Sequence, residues 1–389
     1  MIFIKNAKIY TMAEAGILES ASIIVEDGKI KEVGKDLIVP LDAQIIDAEG
    51  TMVFPGFIDA HCHLGMWEDA LGFEGEDGNE MTDPITPELR ALDAINPMDR
   101  NFEEALEGGV TTVCTGPGSA NVLSGQFITI KTHGNRVDDM IVMEPAAMKS
   151  AFGENPKRTY HDKDESPSTR MAIASLFRET MFEALEYEDK CEQAIEDPEK
   201  KPDFDMRMEA LRTVVKGELP IKAHAHRADD IFTAIRLAKE FNLNMTLDHC
   251  TEGHLIADQI AAEKMDVIVG PSFTTRSKIE LRNLTFETPG VLQKAGVKVA
   301  IMTDHPVVPI QYLPFCAALS AKAGMEEMEA LKAITINAAE ILGVGHTLGS
   351  IEVGKDADLV IMNGHPFEMN TDALYTLVDG EIAYKRNLD

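Results

Sequence analysis

Paired cysteines, long apolar runs and positive charge are all scarce in this sequence, and each scarcity excludes something. Its 389 residues include five cysteines with no paired-motif spacing, so reduced thiols are expected rather than a disulfide framework. No apolar run approaches the roughly 20 residues that cross a bilayer. Met1-Ile-Phe-Ile-Lys5 leads directly into strand-like sequence, without a signal-peptide pattern. A cytoplasmic protein with no membrane partner is the expectation. Lys and Arg number 36 against 66 Asp and Glu, a net charge of −30. That balance argues against nucleic acid or an anionic membrane as partner and assigns the charge to solubility. Much of the charge lies between Glu183 and Asp205, which reads as a solvated helical insertion without a catalytic role.

What is present begins with Phe54-Pro-Gly-Phe-Ile-Asp-Ala-His-Cys-His63, an apolar, strand-like run that ends in two histidines one residue apart. Side chains two apart on a strand share a face, so His61 and His63 can reach one metal ion. Asp59, two residues earlier on that face, is placed to fix an imidazole from behind. Cys62 alternates to the other face and reads as a buried structural thiol. Further candidate ligands close other short apolar runs: His224 and His226 after Ile221-Lys-Ala, His249 after Met245-Thr-Leu-Asp, and Asp304 with His305 after Val299-Ala-Ile-Met-Thr. Strands that end in such residues predict an α/β chain folded as a (β/α)8 TIM-type barrel, whose site is assembled at the C-terminal strand ends. A nitrogen-rich ligand set points to zinc.

A chain of this length with 44% hydrophobic residues can bury a large core and has room for more than one domain. Short β-segments fill both ends, with Asp27-Gly28 as a hairpin signal. Residues 1–52 and 346–389 are therefore expected to form one small β-sandwich beside a barrel spanning 53–345. Within the barrel, Asn101 to Glu107 predicts a helix, Gly108-Gly109 its stop, and Val110 to Cys114 the second strand. Thr115-Gly-Pro-Gly-Ser-Ala-Asn121 is a loop on the site rim, either an anion-binding nest or a plain turn.

Carried by these strand-end residues, the chain resembles the amidohydrolase superfamily in its imidazolonepropionase-like branch. Gly270-Pro-Ser-Phe-Thr-Thr275 and Asn337-Ala-Ala-Glu-Ile-Leu-Gly343 extend the resemblance over nearly the whole length. It implies His61, His63, His224, His249 and Asp304 as ligands to one or two divalent ions. Lys149, taken to end strand four, matches a lysine that several members carbamylate to bridge two metals. Its other reading is an anion-binding or salt-bridged lysine, with Glu144 or Glu154 as carboxylate ligand instead. The glutamate that follows the strand-five histidine in mononuclear deaminases and imidazolonepropionases is missing, since His224 precedes Ala225, His226, Arg227 and Ala228. Asp304 is therefore expected to take the proton of an attacking water. His249 is either a ligand to a second metal or a donor to the oxyanion. His226 either supports a ligand or contacts substrate, His305 can touch substrate, and Arg276 offers a fork for a substrate carboxylate. The implied activity is hydrolysis of an amide or cyclic amide in a small molecule. Prolidase-like cleavage of dipeptides, a carboxypeptidase, deamination and a non-catalytic scaffold are the alternatives. A homodimer is implied by the resemblance alone.

Overall fold

The computed structural model describes residues 1–69 and 71–387. Five strands come first: β1 (Ile2–Tyr10), β2 (Ile17–Glu26), β3 (Lys29–Gly34), β4 (Gln44–Asp47) and β5 (Met52–Pro55). The central strands are β6 (Phe57–Cys62), β7 (Val110–Thr115), β8 (Leu123–Lys131), β9 (Ile141–Ala151), β10 (Ile221–Ala225), β11 (Met245–His249), β12 (Val267–Val269) and β13 (Val299–Ile301). Three more follow: β14 (Leu359–Met362), β15 (Ala373–Val378) and β16 (Glu381–Lys385).

Both ends of the chain share one sheet in the order β16-β15-β14-β5-β1-β2-β3, with β4 beside β1. Asp27 and Gly28 turn between β2 and β3 with φ of 49° and 76°, the doubly positive pair that an Asp-Gly hairpin supplies. Asp379 and Gly380 repeat the device between β15 and β16. The two hairpins meet through Ala357, whose N–H donates to Gly28 O and whose carbonyl accepts from Gly380 N. Ile4, Ile23, Ile30, Val53, Leu359 and Leu377 pack together beneath them. Because β5 pairs with β1 and β14, the chain is still in this sheet at Pro55 and crosses at Gly56 into the barrel.

The barrel sheet runs β6 to β13 in chain order. Its first and last strands are tied by Asp59, whose carboxylate accepts from the Thr303 backbone N–H at 3.0 Å, and by His63 N–H to His305 O at 2.9 Å. Helices cover the outside. In Ala228–Phe241, Ile231, Ala234, Ile235, Ala238 and Phe241 make one buried stripe at helical spacing, each large side chain contributing about 1.5–3 kcal/mol. Helix Arg170–Glu196 similarly buries Ile173, Phe177, Met181 and Ala184. Most of these anchors precede the stretch 183–205, in which Ala184, Tyr187 and Glu188 are buried and the rest is mainly exposed, as expected of a solvated segment. Among the described residues no helix is long and apolar enough to cross a membrane.

One strand departs from the repeating β/α pattern. β8 runs antiparallel to both β7 and β9, so the chain reaches β9 by an up-and-down path that needs no crossover helix. Its end therefore lies at the opposite mouth of the barrel from the histidines, with Lys131 opposite Thr112. There Lys131 Nζ meets Asp358 at 2.8 Å, Asp379 at 3.1 Å and Asp356 at 3.3 Å, and fastens the barrel to the terminal sheet.

Candidate metal centre

The C-terminal ends of β6, β9, β10 and β11 and the turn after β13 bring His61, His63, Lys149, His224, His226, His249 and Asp304 to one buried centre. Strand alternation accounts for the His61/His63 and His224/His226 pairs. It does not account for His249 and Asp304, whose φ angles are 71° and 54°. Left-handed backbone at non-glycine residues is strained and persists where the surroundings impose it. Here it swings His249 off the strand pattern and into the centre.

Two acidic neighbours of these histidines depart from simple alternation. Asp248, which alternation would turn to the face opposite His249, lies inside the barrel against His61 Nδ1 and 3.0 Å from Lys222 Nζ. Burial opposes its charge, but Lys222, His61 and Lys149 outweigh the burial and hold its carboxyl well below the usual range. Asp59, expected behind an imidazole, touches no ring. It accepts from the backbone N–H of His61 at 3.1 Å and from Thr303, and burial pushes its pKa up to about 7.

The hydrogen bonds fix which nitrogen carries the proton in three of these rings. His63 Nδ1 lies 2.6 Å from Gly116 O and His249 Nδ1 lies 2.9 Å from Gly270 O. A carbonyl can only accept, so both Nδ1 atoms are protonated and both Nε2 atoms are lone-pair donors. His61 follows the same logic through the Asp248 carboxylate. His224 and His226 also engage through Nδ1, with Ser119 Oγ at 2.8 Å and Thr251 Oγ1 at 2.7 Å, hydroxyls that serve as donor or acceptor. Gly116 and Gly270 are glycines by necessity: a Cβ would stand 2.3 Å from the Phe127 ring or 2.5 Å from Met302 O. Burial, ahead of neighbouring charge, holds His61, His224, His226 and His249 well below the ordinary imidazole value, so they are neutral.

The inward-facing atoms suit a cation. His63 Nε2 is 3.2 Å and His61 Nε2 3.7 Å from Asp304 Oδ1, lone pair facing lone pair. His224 Nε2, His249 Nε2 and Asp304 Oδ1 are buried without a hydrogen-bond partner among the described residues. Two groups have ligand atoms within 4.8 Å of one another: His61, His249 and Asp304, and His224, His226 and His249. Imidazoles anchored through one nitrogen and free at the other are the arrangement that metal sites use. His249 is thereby a ligand candidate and not an oxyanion donor, because its Nε2 carries no proton. Lys149 Nζ lies 3.2 Å from His61 Nε2, and burial lowers its pKa to about 8.

A cavity of about 340 Å³ opens over these groups, walled by Trp67, Asn79, Ser119, Asn155 and Lys278, a size that suits a small molecule. Arg276 is not among its lining residues. Its guanidinium is spent on Leu284 O at 2.6 Å, and Lys278, two residues on, is the cation in the wall. The His305 ring is buried outside the lining, with burial lowering its pKa to about 4, and its neighbours Pro306 and Val307 face the cavity instead. The loop after β7 serves neither as a nest nor as a bare turn, since it supplies the Gly116 carbonyl and the Ser119 hydroxyl to two imidazoles. Glu144, weighed as a ligand, pairs with Arg90 at 2.6 Å away from the centre. Glu280 went unnoticed in the sequence, yet its carboxylate is buried beside His224 and His226. No local pattern marks it, because it sits in an irregular loop.

A model of the Amidohydrolase family matches residues 52–383. The chain belongs to the amidohydrolase family. Amidohydrolase tasK of Hapsidospora irregularis is 29% identical over 386 residues, covering 92% of this chain and 39% of that protein. The chain therefore spans well under half of that relative's length. Imidazolonepropionase of Geobacillus kaustophilus (strain HTA426) is 28% identical over 387 residues, covering 90% of this chain and 86% of that one. The solved structure of an amidohydrolase from Thermotoga maritima MSB8 superposes with a TM-score of 0.96 at 43% identity, covering 99% of this chain and 100% of the other. Within the amidohydrolases the chain falls on the imidazolonepropionase-like branch, and it is a hydrolase acting on carbon–nitrogen bonds.

Proposed function

We propose that this amidohydrolase cleaves an amide or cyclic amide bond in a small, anionic molecule, using one or two divalent cations, zinc by the nitrogen-rich donor set. The observation that carries this reading is the set of imidazoles whose Nδ1 atoms are all engaged by protein groups, with His61, His63 and His249 turned toward Asp304 and His224 and His226 toward His249. His61, His63 and Asp304 would hold a divalent ion, which would supply a more acidic water and Lewis-acid polarisation of the substrate carbonyl. Asp304, a carboxylate beside both the ion and the cavity, would accept the proton of the attacking water and return it to the departing nitrogen. Lys278 in the wall meets the anionic group of the substrate, the role first expected of Arg276. The buried polar centre lies beneath the cavity, with Trp67 against the His63 ring at a centroid distance of 4.8 Å limiting access.

Lys149 supports a second reading, prolidase-like cleavage of dipeptides by two bridged ions. With its pKa lowered to about 8 by burial, a sizeable fraction of the amine is neutral near pH 8. A neutral amine adds carbon dioxide, loses a proton and becomes an anionic oxygen ligand. The terminal sheet, closed over Ile4, Ile30 and Leu359, we read as the small β-sandwich beside the barrel. The test is a panel of cyclic amides, N-acyl amino acids and dipeptides, assayed before chelation, after it and after zinc is restored. Turnover lost on chelation and regained with zinc is expected. Equal turnover by the chelated protein would overturn the reading.

A further inference from the structure

Building on that metal-dependent reading, we propose that Glu280 and His226 complete a second cation site with His224 and His249. Glu280 lies in the short turn Ile279–Leu281 of the loop after β12, remote in sequence from the β10 motif. It is 1% exposed, and its Oε1 stands 3.6 Å from His226 Nε2 and 4.0 Å from His224 Nε2. Both separations are too long for hydrogen bonds. They approach the spacing of donors around one ion: zinc holds nitrogen and oxygen at about 2.0–2.2 Å, which sets neighbouring tetrahedral donors roughly 3.3–3.6 Å apart.

The donor arithmetic favours two sites over one. His249 belongs to both groups of convergent atoms, and one lone pair serves one ion. His63, 3.2 Å from Asp304, replaces it in the first group, leaving His61, His63 and Asp304 for one ion. His224, His226, His249 and Glu280 remain for the other. The first group already contains a carboxylate, and Glu280 gives the second group its own anion to offset a dication. The loop holds that carboxylate from behind, because Oε2 accepts from the Glu154 N–H at 3.0 Å and Oε1 is left facing the imidazoles. Lys278, 3.5 Å from Oε1 and bound to Asn155 at 2.6 Å, is the neighbour that yields when an ion enters. Nothing in this set requires Lys149 to be modified.

The test titrates the metal-free full chain with cobalt(II), following ions bound per chain by elemental analysis and the visible absorption of each ion. Two ions per chain are expected. Glu280→Gln and His226→Asn should each keep the first ion and weaken the second by at least about ten-fold, with the absorption of the second ion altered and that of the first preserved. Circular dichroism checks that each variant is folded, and either variant alone suffices if the other is not. One ion per chain in the unaltered protein would overturn the second site and leave the metal-dependent reading standing. None would overturn both. Two ions bound at unchanged affinity by a folded variant would place the second ion elsewhere and overturn the proposal.

Discussion

Lys131 and Lys149 are both buried in the same barrel, yet one lies among three carboxylates and the other beside an imidazole and the Phe127 ring. Burial works against the charge of each. At Lys131, Asp358, Asp379 and Asp356 outweigh the burial and raise the pKa. At Lys149 no carboxylate lies within ion-pair distance among the described residues, and burial prevails. The antiparallel run of β8 puts Lys131 at the mouth opposite the site, so the same residue type ties the barrel to the terminal sheet at one end and faces the imidazoles without an ion-pair partner among the described residues at the other. Paired charge fixes structure there, whereas unpaired lone pairs, held in place by strained backbone at His249 and Asp304, make chemistry available here.

The comparison breaks most readily at the reactive end. Asp304→Asn should lower turnover by about 10²–10⁴-fold with little change in thermal unfolding. A near-normal rate, measured on the substrate found by the panel, would move proton transfer off this residue.

At the opposite mouth the expected loss is in stability. Lys131→Met leaves buried Asp358 without its cation, which should cost about 3 kcal/mol in urea unfolding, the lower end for a buried pair because Asp379 is half exposed. Metal content and turnover should be unchanged. The pH dependence sharpens the point. Since the folded-state pKa of Lys131 is raised above its ordinary 10.5, the stabilisation is fully present below pH 10.5 and is lost as pH rises through the raised value. The gap between wild type and variant should therefore narrow above pH 10.5. A constant gap on either side of it would contradict the charge-pairing account.

The smallest effect tests what links a paired group to the reactive end. Asp248→Asn removes the carboxylate behind His61 and should weaken metal binding by about 10–100-fold, much of the activity returning when metal is in excess. Unchanged affinity by competition with a chromophoric chelator would mean that the Asp248 contact is structural only.

Much of the fold and the core of the centre are legible in the sequence because strand alternation and turn chemistry are local. His61 with His63, the Asp27-Gly28 hairpin and the helix Asn101–Glu107 all follow from period and punctuation. What was not legible depends on direction or on long-range geometry. A period of two is the same for a strand running up or down, so the reversal of β8 left no mark. Alternation could not anticipate the positive φ that turns His249 inward while Asp248 also faces the interior. Nor could it choose between Arg276 and Lys278, or find Glu280, since loop side chains have no fixed period. Their positions are set by Leu284 O, Asn155 and the Glu154 N–H.

The most direct measurement is X-ray absorption at the zinc edge of the zinc-loaded protein. The convergent imidazoles and Asp304 should give nitrogen and oxygen neighbours at about 2.0–2.2 Å, with the multiple-scattering signature of several histidines and no sulfur near 2.3 Å, although Cys62 lies between two of the candidate ligands in sequence. A sulfur neighbour, or a shell without imidazole, would contradict the centre described above.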